Sequence, residues 1–130
     1  MKTQVNYQCV FDYGTHKDSV KYSEVGSYDY HDGYHRIRFQ SKDGMMVIEY
    51  NDENVFLTIN ESHLSFNKHE RRDNDYASPH GMIPLTTQIE RLQGDERALR
   101  FVYTLYQGGQ LVSHAYMMIR LIELEEELMA

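Results

Sequence analysis

Apolar residues alternate with polar residues along most of the chain, and this period of two restricts the fold more than any other feature. The segment VNYQCVFDY illustrates it, because every second residue is apolar or aromatic: Val5, Tyr7, Cys9, Phe11 and Tyr13. Successive side chains of a β-strand point to opposite faces, whereas a helix repeats every 3.6 residues. The alternation therefore predicts half-buried strands and an all-β fold.

Eight further segments alternate in the same way, so we expect nine strands, or about 8–10. They are 20–30, 34–40, 45–50, 55–60, 64–68, 82–92, 98–107 and 111–123. Glycine-containing turns such as HDG, KDG and QGGQ separate many of them and favour antiparallel hairpins. Closing such a sheet buries one face and removes exposed edges. The sequence thus predicts a single antiparallel, mostly up-and-down barrel, with a two-sheet sandwich as the alternative.

A chain of 130 residues is the size of one domain, which we divide into a barrel at 1–123 and an acidic tail at 124–130. The net charge of −7 owes much to four glutamates in that tail, and the basic cluster KHERRDND carries equal numbers of acids and bases. We therefore expect no nucleic-acid partner. The longest aliphatic run, MMVI, is too short to cross a membrane. A single cysteine, Cys9, favours a reducing compartment, the cytoplasm.

The stretch DYASPHGMIPL contains both prolines of the chain, Pro79 and Pro84, just before or within a predicted strand. Proline fixes its own φ and cannot donate to a central ladder, and Gly81 allows a sharp change of direction. We expect the polar segment from Lys68 to Gly81 to be a loop that crosses the end of the barrel. The chain would then enter strand 82–92 through an edge or bulged position at Pro84.

At this corner the sequence resembles the YwiB-like family, a bacterial domain of unknown function. The family's Tyr-x-Thr-Pro-Tyr-Gly corner is matched by Tyr76, Pro79 and Gly81, with Ser78 and His80 replacing the threonine and the second tyrosine. The closing hairpin, ALRFVYTLYQGGQLVSHAYMMIRL, is also similar to the family pattern. An Arg-x-Gly turn common in members is absent, since residues 60–62 read NES. The resemblance implies a calycin-like (lipocalin-like) barrel and implies no activity.

Residues that could support catalysis do not form a convincing group. His31 and His35 flank a predicted hairpin turn, where their spacing has no meaning as a metal-ligand pattern. Ser113 and His114 are adjacent on a strand and point to opposite faces, so they cannot form a nucleophile–base pair. We therefore expect no metal, no cofactor and no catalytic residues, and an enzyme is the least favoured class.

Two functions fit a barrel of this size. The first is a non-catalytic binding module for a small apolar or amphipathic ligand. Small residues near Tyr103 would leave a pocket, and its predicted ligand-binding residues are Tyr76, Ser78, His80, Thr87, Tyr103 and Ser113. The alternative is a filled barrel, with Tyr7, Phe11, Phe39 and Phe66 occupying that space.

A filled barrel would act as a protein-interaction or homo-oligomeric structural module. Both faces of strand 111–123 are largely apolar, which favours a homodimer through the closing hairpin. The predicted interface residues are Val102, Tyr106, Val112, Tyr116 and Met118. The intramolecular alternative is a helical turn that packs Leu124 and Leu128 over this surface.

Overall fold

The structure, a computed structural model, describes residues 2–124, which form ten β-strands and no helix. No helix long and apolar enough to cross a membrane therefore occurs within that range. The strands are β1 (Lys2–Asp12), β2 (Lys17–His31), β3 (Tyr34–Ser41), β4 (Gly44–Tyr50), β5 (Asn54–Ile59), β6 (Ser62–Asn67), β7 (Arg72–Ser78), β8 (Gly81–Gly94), β9 (Ala98–Gln107) and β10 (Gln110–Glu123). The prediction of an all-β chain is confirmed.

The strands form one antiparallel sheet that curls into a nearly closed, calycin-like barrel. Their order is β6-β5-β4-β3-β2-β1-β10-β9-β8-β7, so each pair of consecutive strands is adjacent except β6 and β7. The first and last strands pair along almost their whole length, from Thr3 opposite Glu123 to Asp12 opposite His114. This up-and-down architecture confirms the predicted fold class, and it leaves β6 and β7 as the two edges of the sheet.

Turn chemistry accounts for the tightest hairpins. Asp32 and Gly33, between β2 and β3, have φ values of 52° and 83°. Gly108 and Gly109, between β9 and β10, have φ values of 57° and 78°. Two successive residues with positive φ match the twist of antiparallel strands, which is why these sequences favour two-residue turns.

The polar segment predicted as a loop contains a strand, β7, and that part of the prediction is wrong. Ser78 pairs with Gly81, so Pro79 and His80 form the turn of a β7–β8 hairpin. The alternation rule missed β7 because most of its side chains are polar. Pro84 pairs only with Asp75 of β7, since the β8–β9 ladder starts at Thr86. The missing N–H of Pro84 therefore costs no bond to β9, as the predicted edge position requires.

The interior is densely filled at one end of the barrel. Tyr50 is fully buried, its hydroxyl donates to the Asp95 carbonyl oxygen at 2.6 Å, and the His35 ring stacks on it with centroids 4.8 Å apart. Farther along, Phe66 packs edge-on against Phe101 at 4.9 Å. Aromatic contacts of this geometry add to the stability gained from apolar burial. This end therefore anchors opposite walls of the barrel to each other.

Two residues predicted to face inward do not. Leu111 is 53 % exposed, because an irregularity in register between Leu111 and Ser113 interrupts the alternation on β10. Tyr13 is 39 % exposed, because β1 ends at Asp12 and Tyr13 lies in the following turn. After the irregularity the predicted inner face of β10 holds, since Ser113, Ala115, Met117 and Ile119 are all buried.

Candidate functional site

The other end of the barrel contains a cavity of about 220 Å³. Its described lining carries no charged side chain and combines aliphatic residues, methionines, aromatic residues and one serine. These residues are Tyr7, Phe11, Met46, Leu57, Ile59, Ser62, Leu64, Tyr76, Leu85, Tyr103, Leu105 and Met117. Such a mostly apolar concave site with a few hydroxyl groups has the character of a small-molecule pocket.

The cavity exists because bulky and small residues face one another across neighbouring strands. Tyr103 on β9 lies opposite Ala115 on β10 and opposite Ile89 on β8. Leu105, the next inward residue of β9, lies opposite Ser113 and Thr87. Alanine, serine and threonine fill less of the barrel than leucine or phenylalanine would. The space that remains lies between this wall and the wall formed by β4, β5 and β6.

Three buried polar groups lie in or beside the cavity, and burial keeps all of them protonated. Desolvation raises the pKa of the Cys9 thiol to about 12 and raises the pKa values of Tyr7 and Tyr103 well above the ordinary tyrosine range. Tyr7 and Cys9 are successive inward-facing residues of β1, and each influences the pKa of the other. Tyr103 is 3 % exposed and lines the cavity. The cavity thus offers a neutral hydroxyl that can bond to a ligand.

Two of the six predicted ligand-binding residues, Tyr76 and Tyr103, line the cavity. Thr87 and Ser113 are buried close by, but neither belongs to the lining. The Thr87 hydroxyl instead donates to the Ser65 carbonyl oxygen at 2.6 Å, across the gap between the two sheet edges. Its role is therefore to hold β8 to β6.

The remaining two predicted residues, Ser78 and His80, belong to the β7–β8 turn. The Ser78 hydroxyl donates to the Gly81 carbonyl oxygen at 2.7 Å and accepts from the His80 amide at 3.2 Å. His80 is exposed. These contacts order the turn, and the structure does not bring either residue into the cavity lining.

Sequence reasoning missed the opposite wall of the site, which includes Met46, Leu57, Ile59 and Leu64. Their alternation predicts that these residues face inward, so a signal for burial is present. The pattern does not indicate which strands lie across the barrel from β9. Of the four aromatic residues expected to fill the space, Phe39 and Phe66 are buried outside the lining, whereas Tyr7 and Phe11 are part of it.

The predicted interface residues lie on the outer surface, in two places. Tyr116 pairs with Val102 on one side and Val10 on the other, and Met118 follows two residues later on β10. Tyr116 and Met118 are 48 % and 42 % exposed. Tyr106 lies farther along β9, with the Arg71 guanidinium 4.5 Å above its ring, and Val112 is half-buried at the irregularity in β10.

The intramolecular alternative concerns residues mostly beyond the described range. The Leu124 amide donates to the Lys2 carbonyl oxygen at 3.3 Å, which extends the pairing of β10 with β1. Leu128 lies outside the described residues, as does most of the predicted acidic tail at 124–130.

Other polar groups have local partners. His31 pairs with Asp32 at 3.1 Å, and the Thr104 hydroxyl bridges the Glu90 carboxylate and the His114 ring on the outer surface. Thr104 occupies an outward-facing position of β9, yet its side chain is fully buried. No group of three or more metal-ligating side chains is found in the part of the chain that the structure describes.

Comparisons with known proteins agree with this architecture. The crystal structure of the ywiB protein from Bacillus subtilis superposes with a TM-score of 0.69 at 11 % identity, covering 92 % of this chain and 90 % of that one. At this identity the likeness shows the fold alone. No curated protein matches the chain. The model of a family described as a domain of unknown function, DUF1934, matches residues 5–119. This match confirms the resemblance read from the corner and the closing hairpin, and the chain belongs to the DUF1934 family.

Proposed function

We propose that the protein is a non-catalytic binding module that holds a small, uncharged, mainly apolar molecule inside the barrel. The observation that carries this proposal is the cavity of about 220 Å³, whose described lining has hydroxyl groups but no charged side chain. A charged ligand would lose its hydration there without gaining a counter-ion, which is costly. An apolar or amphipathic ligand would gain from burial against the aliphatic wall.

The volume limits the size of the ligand. An engineered apolar cavity of about 150 Å³ binds benzene, and drug-sized ligands occupy about 300–1,000 Å³. A cavity of about 220 Å³ lies between these values. It suits a molecule with one ring or a short chain. Tyr103 in the lining supplies a hydroxyl group, which favours a ligand that carries one hydroxyl or carbonyl group over a pure hydrocarbon.

The test is to titrate the protein with benzene and with phenol and to monitor binding by the NMR signals of its labelled methionine methyl groups. Met46 and Met117 line the cavity, whereas Met82 is 64 % exposed and serves as the internal reference. We expect saturable shifts at the two cavity methyls, no shift at the reference, and tighter binding of phenol than of benzene. Shifts that do not saturate, or that are equal at all three methyls, would contradict the proposal.

A matched pair of substitutions then locates the binding. Leu105 lines the cavity, and Leu92 packs against the same core without lining it. Leu105→Phe should weaken benzene binding about tenfold or more because the larger ring occupies the site. Leu92→Phe adds the same volume elsewhere and should leave binding nearly unchanged. Equal effects of the two changes would mean that benzene binds outside this cavity.

The cellular setting we propose is a reducing one, the cytoplasm. Cys9 is a free, fully buried thiol, and the described chain has no second cysteine that could pair with it. A buried unpaired cysteine behaves as a small apolar residue and needs no oxidising compartment.

A second candidate function is a homodimeric interaction module, and the outer surface of β1, β10 and β9 favours it. Val10, Tyr116 and Val102 form a row of cross-strand neighbours there, with Met118 beside them. Contiguous exposed apolar patches mark contact surfaces more often than chance exposure does. In this proposal a second copy of the chain covers the row. It is compatible with a ligand inside the barrel, since the two sites use opposite faces of the strands.

A further inference from the structure

Between β6 and β7 the barrel is closed by side-chain hydrogen bonds, whereas all other neighbouring strands are joined by main-chain ladders. The edge strands β6 and β7 are consecutive in the chain, yet within residues 2–124 no ladder pairs them. The side chain of Asn74 on β7 makes the hydrogen bonds to β6 that the main chain of a neighbouring strand would otherwise make. Its side-chain oxygen accepts from the Ser65 amide at 2.8 Å, and its side-chain nitrogen donates to the Ser65 carbonyl oxygen at 3.3 Å. One amide side chain thus satisfies both main-chain groups of Ser65.

Three further side-chain bonds cross the same gap, which we call the seam. The Ser65 hydroxyl donates to the Asn74 side-chain oxygen at 2.9 Å. Thr87 donates to the Ser65 carbonyl oxygen at 2.6 Å, and the Ser62 hydroxyl donates to the Ala77 carbonyl oxygen at 2.6 Å. The contacts Ser62–Ala77 and Ser65–Asn74 follow one antiparallel register. The seam therefore keeps two strand edges aligned while leaving out the main-chain bonds that hold every other neighbouring pair in the sheet.

The cavity lies directly behind the seam. Ser62 and Leu64 of β6 line it from one side, and Tyr76 of β7 and Leu85 of β8 line it from the other. Every other joint between neighbouring strands is a continuous or briefly interrupted ladder whose opening would break several main-chain bonds together. Opening the seam breaks hydrogen bonds made by four side chains, Ser62, Ser65, Asn74 and Thr87, and no main-chain ladder, so it is the part of the wall that separates most readily.

We propose that the seam between β6 and β7 is the entrance to the cavity and that Asn74 is its latch. This inference rests on the proposed binding function. A ligand inside the barrel needs a path to and from solvent, and the seam offers one that leaves the sheet ladders intact. Loss of the latch lowers the barrier to opening without altering the cavity lining, because Asn74 is not among the lining residues. Entry and exit should then accelerate together.

The experiment compares Asn74→Ala with Asn67→Ala. Asn67 is a matched control because its side chain bonds to Asn54 and to the His69 amide, on the side of β6 away from the seam. Two quantities are measured: hydrogen exchange of the Ser65 amide without ligand, and the benzene dissociation rate from exchange of the Met46 and Met117 methyl signals. We expect Asn74→Ala to raise both about tenfold while the dissociation constant stays within about threefold, and Asn67→Ala to change neither.

Several outcomes would overturn the inference. Faster Ser65 exchange with an unchanged benzene rate would mean that the seam opens but is not the path. An equal effect of His80→Ala would move the entrance to the β7–β8 turn. If benzene fails to bind the unsubstituted protein, the proposed function is wrong, and the entrance role is wrong with it. Hydrogen exchange of the Ser65 amide still shows, independently of binding, whether Asn74 holds the seam closed. Should Asn74→Ala not fold, Asn74→Asp keeps the acceptor for the Ser65 amide, loses the donor, and should give a smaller acceleration.

Discussion

Cys9, Tyr7 and Tyr103 show how burial changes the chemistry of single side chains in this barrel. The alternation predicts that all three face inward, and they do. Their neutral state follows from desolvation, which raises their pKa values because no counter-charge compensates for the lost hydration. The surrounding wall decides what each group faces, and both tyrosines line the cavity.

These raised pKa values predict that stability falls at high pH. In the unfolded chain cysteine loses its proton near pH 8.5 and tyrosine near pH 10. The folded protein retains these protons, with the Cys9 pKa at about 12. Above each unfolded pKa the native state therefore binds more protons than the unfolded state, and the free energy of unfolding decreases as pH rises. Below about pH 8 this contribution is fully present.

Urea unfolding at a series of pH values between 7 and 11 checks this. Cys9→Ala should flatten the decline that begins between pH 8.5 and 10, and Tyr103→Phe should flatten the part above pH 10. Tyr30, which is 61 % exposed, provides the control, because Tyr30→Phe should leave the slope unchanged. A free energy of unfolding that stays constant up to pH 11 in the unsubstituted protein would refute the argument.

Strands β2 and β7 illustrate what a local pattern can and cannot predict. The alternation predicts β2 but not that this long strand changes its pairing partner along its length. Gly26 pairs with Thr3 of β1, whereas Ser27 pairs with Arg38 of β3 as well as with Lys2 of β1. The alternation rule does not predict β7, because most side chains of this edge strand are polar and show no apolar alternation. Its position comes from pairing with β8 and from the bond between Asn74 and Ser65.

The change of partner on β2 depends on the absence of a side chain at Gly26. A Cβ atom there would overlap the Arg38 carbonyl oxygen and press on Phe39 and Val5. We expect Gly26→Ala to lower the free energy of unfolding by about 1–3 kcal/mol, since backbone must move to relieve the overlap. Chemical denaturation measures the loss, with Ser27→Ala as the neighbouring control. A change of less than about 0.5 kcal/mol for Gly26→Ala would show that the strand has room to adjust.

The complete barrel presents two surfaces that its strands create only together, the cavity inside and the apolar row outside. The row joins Val10 of β1 to Tyr116 of β10 and Val102 of β9. It depends on the pairing of the first strand with the last. A homodimer through this row would bury Tyr116, which is 48 % exposed in the single chain, and the half-buried Val10 and Val102.

Sedimentation equilibrium of matched variants tests the homodimer. Met118 and Met45 are exposed to nearly the same extent, 42 % and 45 %, on different parts of the barrel. Met118→Glu should shift the protein from dimer toward monomer, because it places a charge in the apolar contact. Met45→Glu should not. A monomer at all concentrations for the unsubstituted protein would refute the dimer.

Periodicity and turn chemistry are local properties, so the amino-acid sequence is enough to predict the strands, the hairpins, the inward faces and an antiparallel barrel. The family resemblance at the corner is local in the same sense. Nothing local indicates that the barrel closes between β6 and β7, or that Met46 and Leu57 face Tyr103 across a cavity. Those relations join residues far apart in the chain, and they follow from the stagger of the whole sheet. The space inside a barrel is set by the sum of its opposing side chains, which no single strand contains.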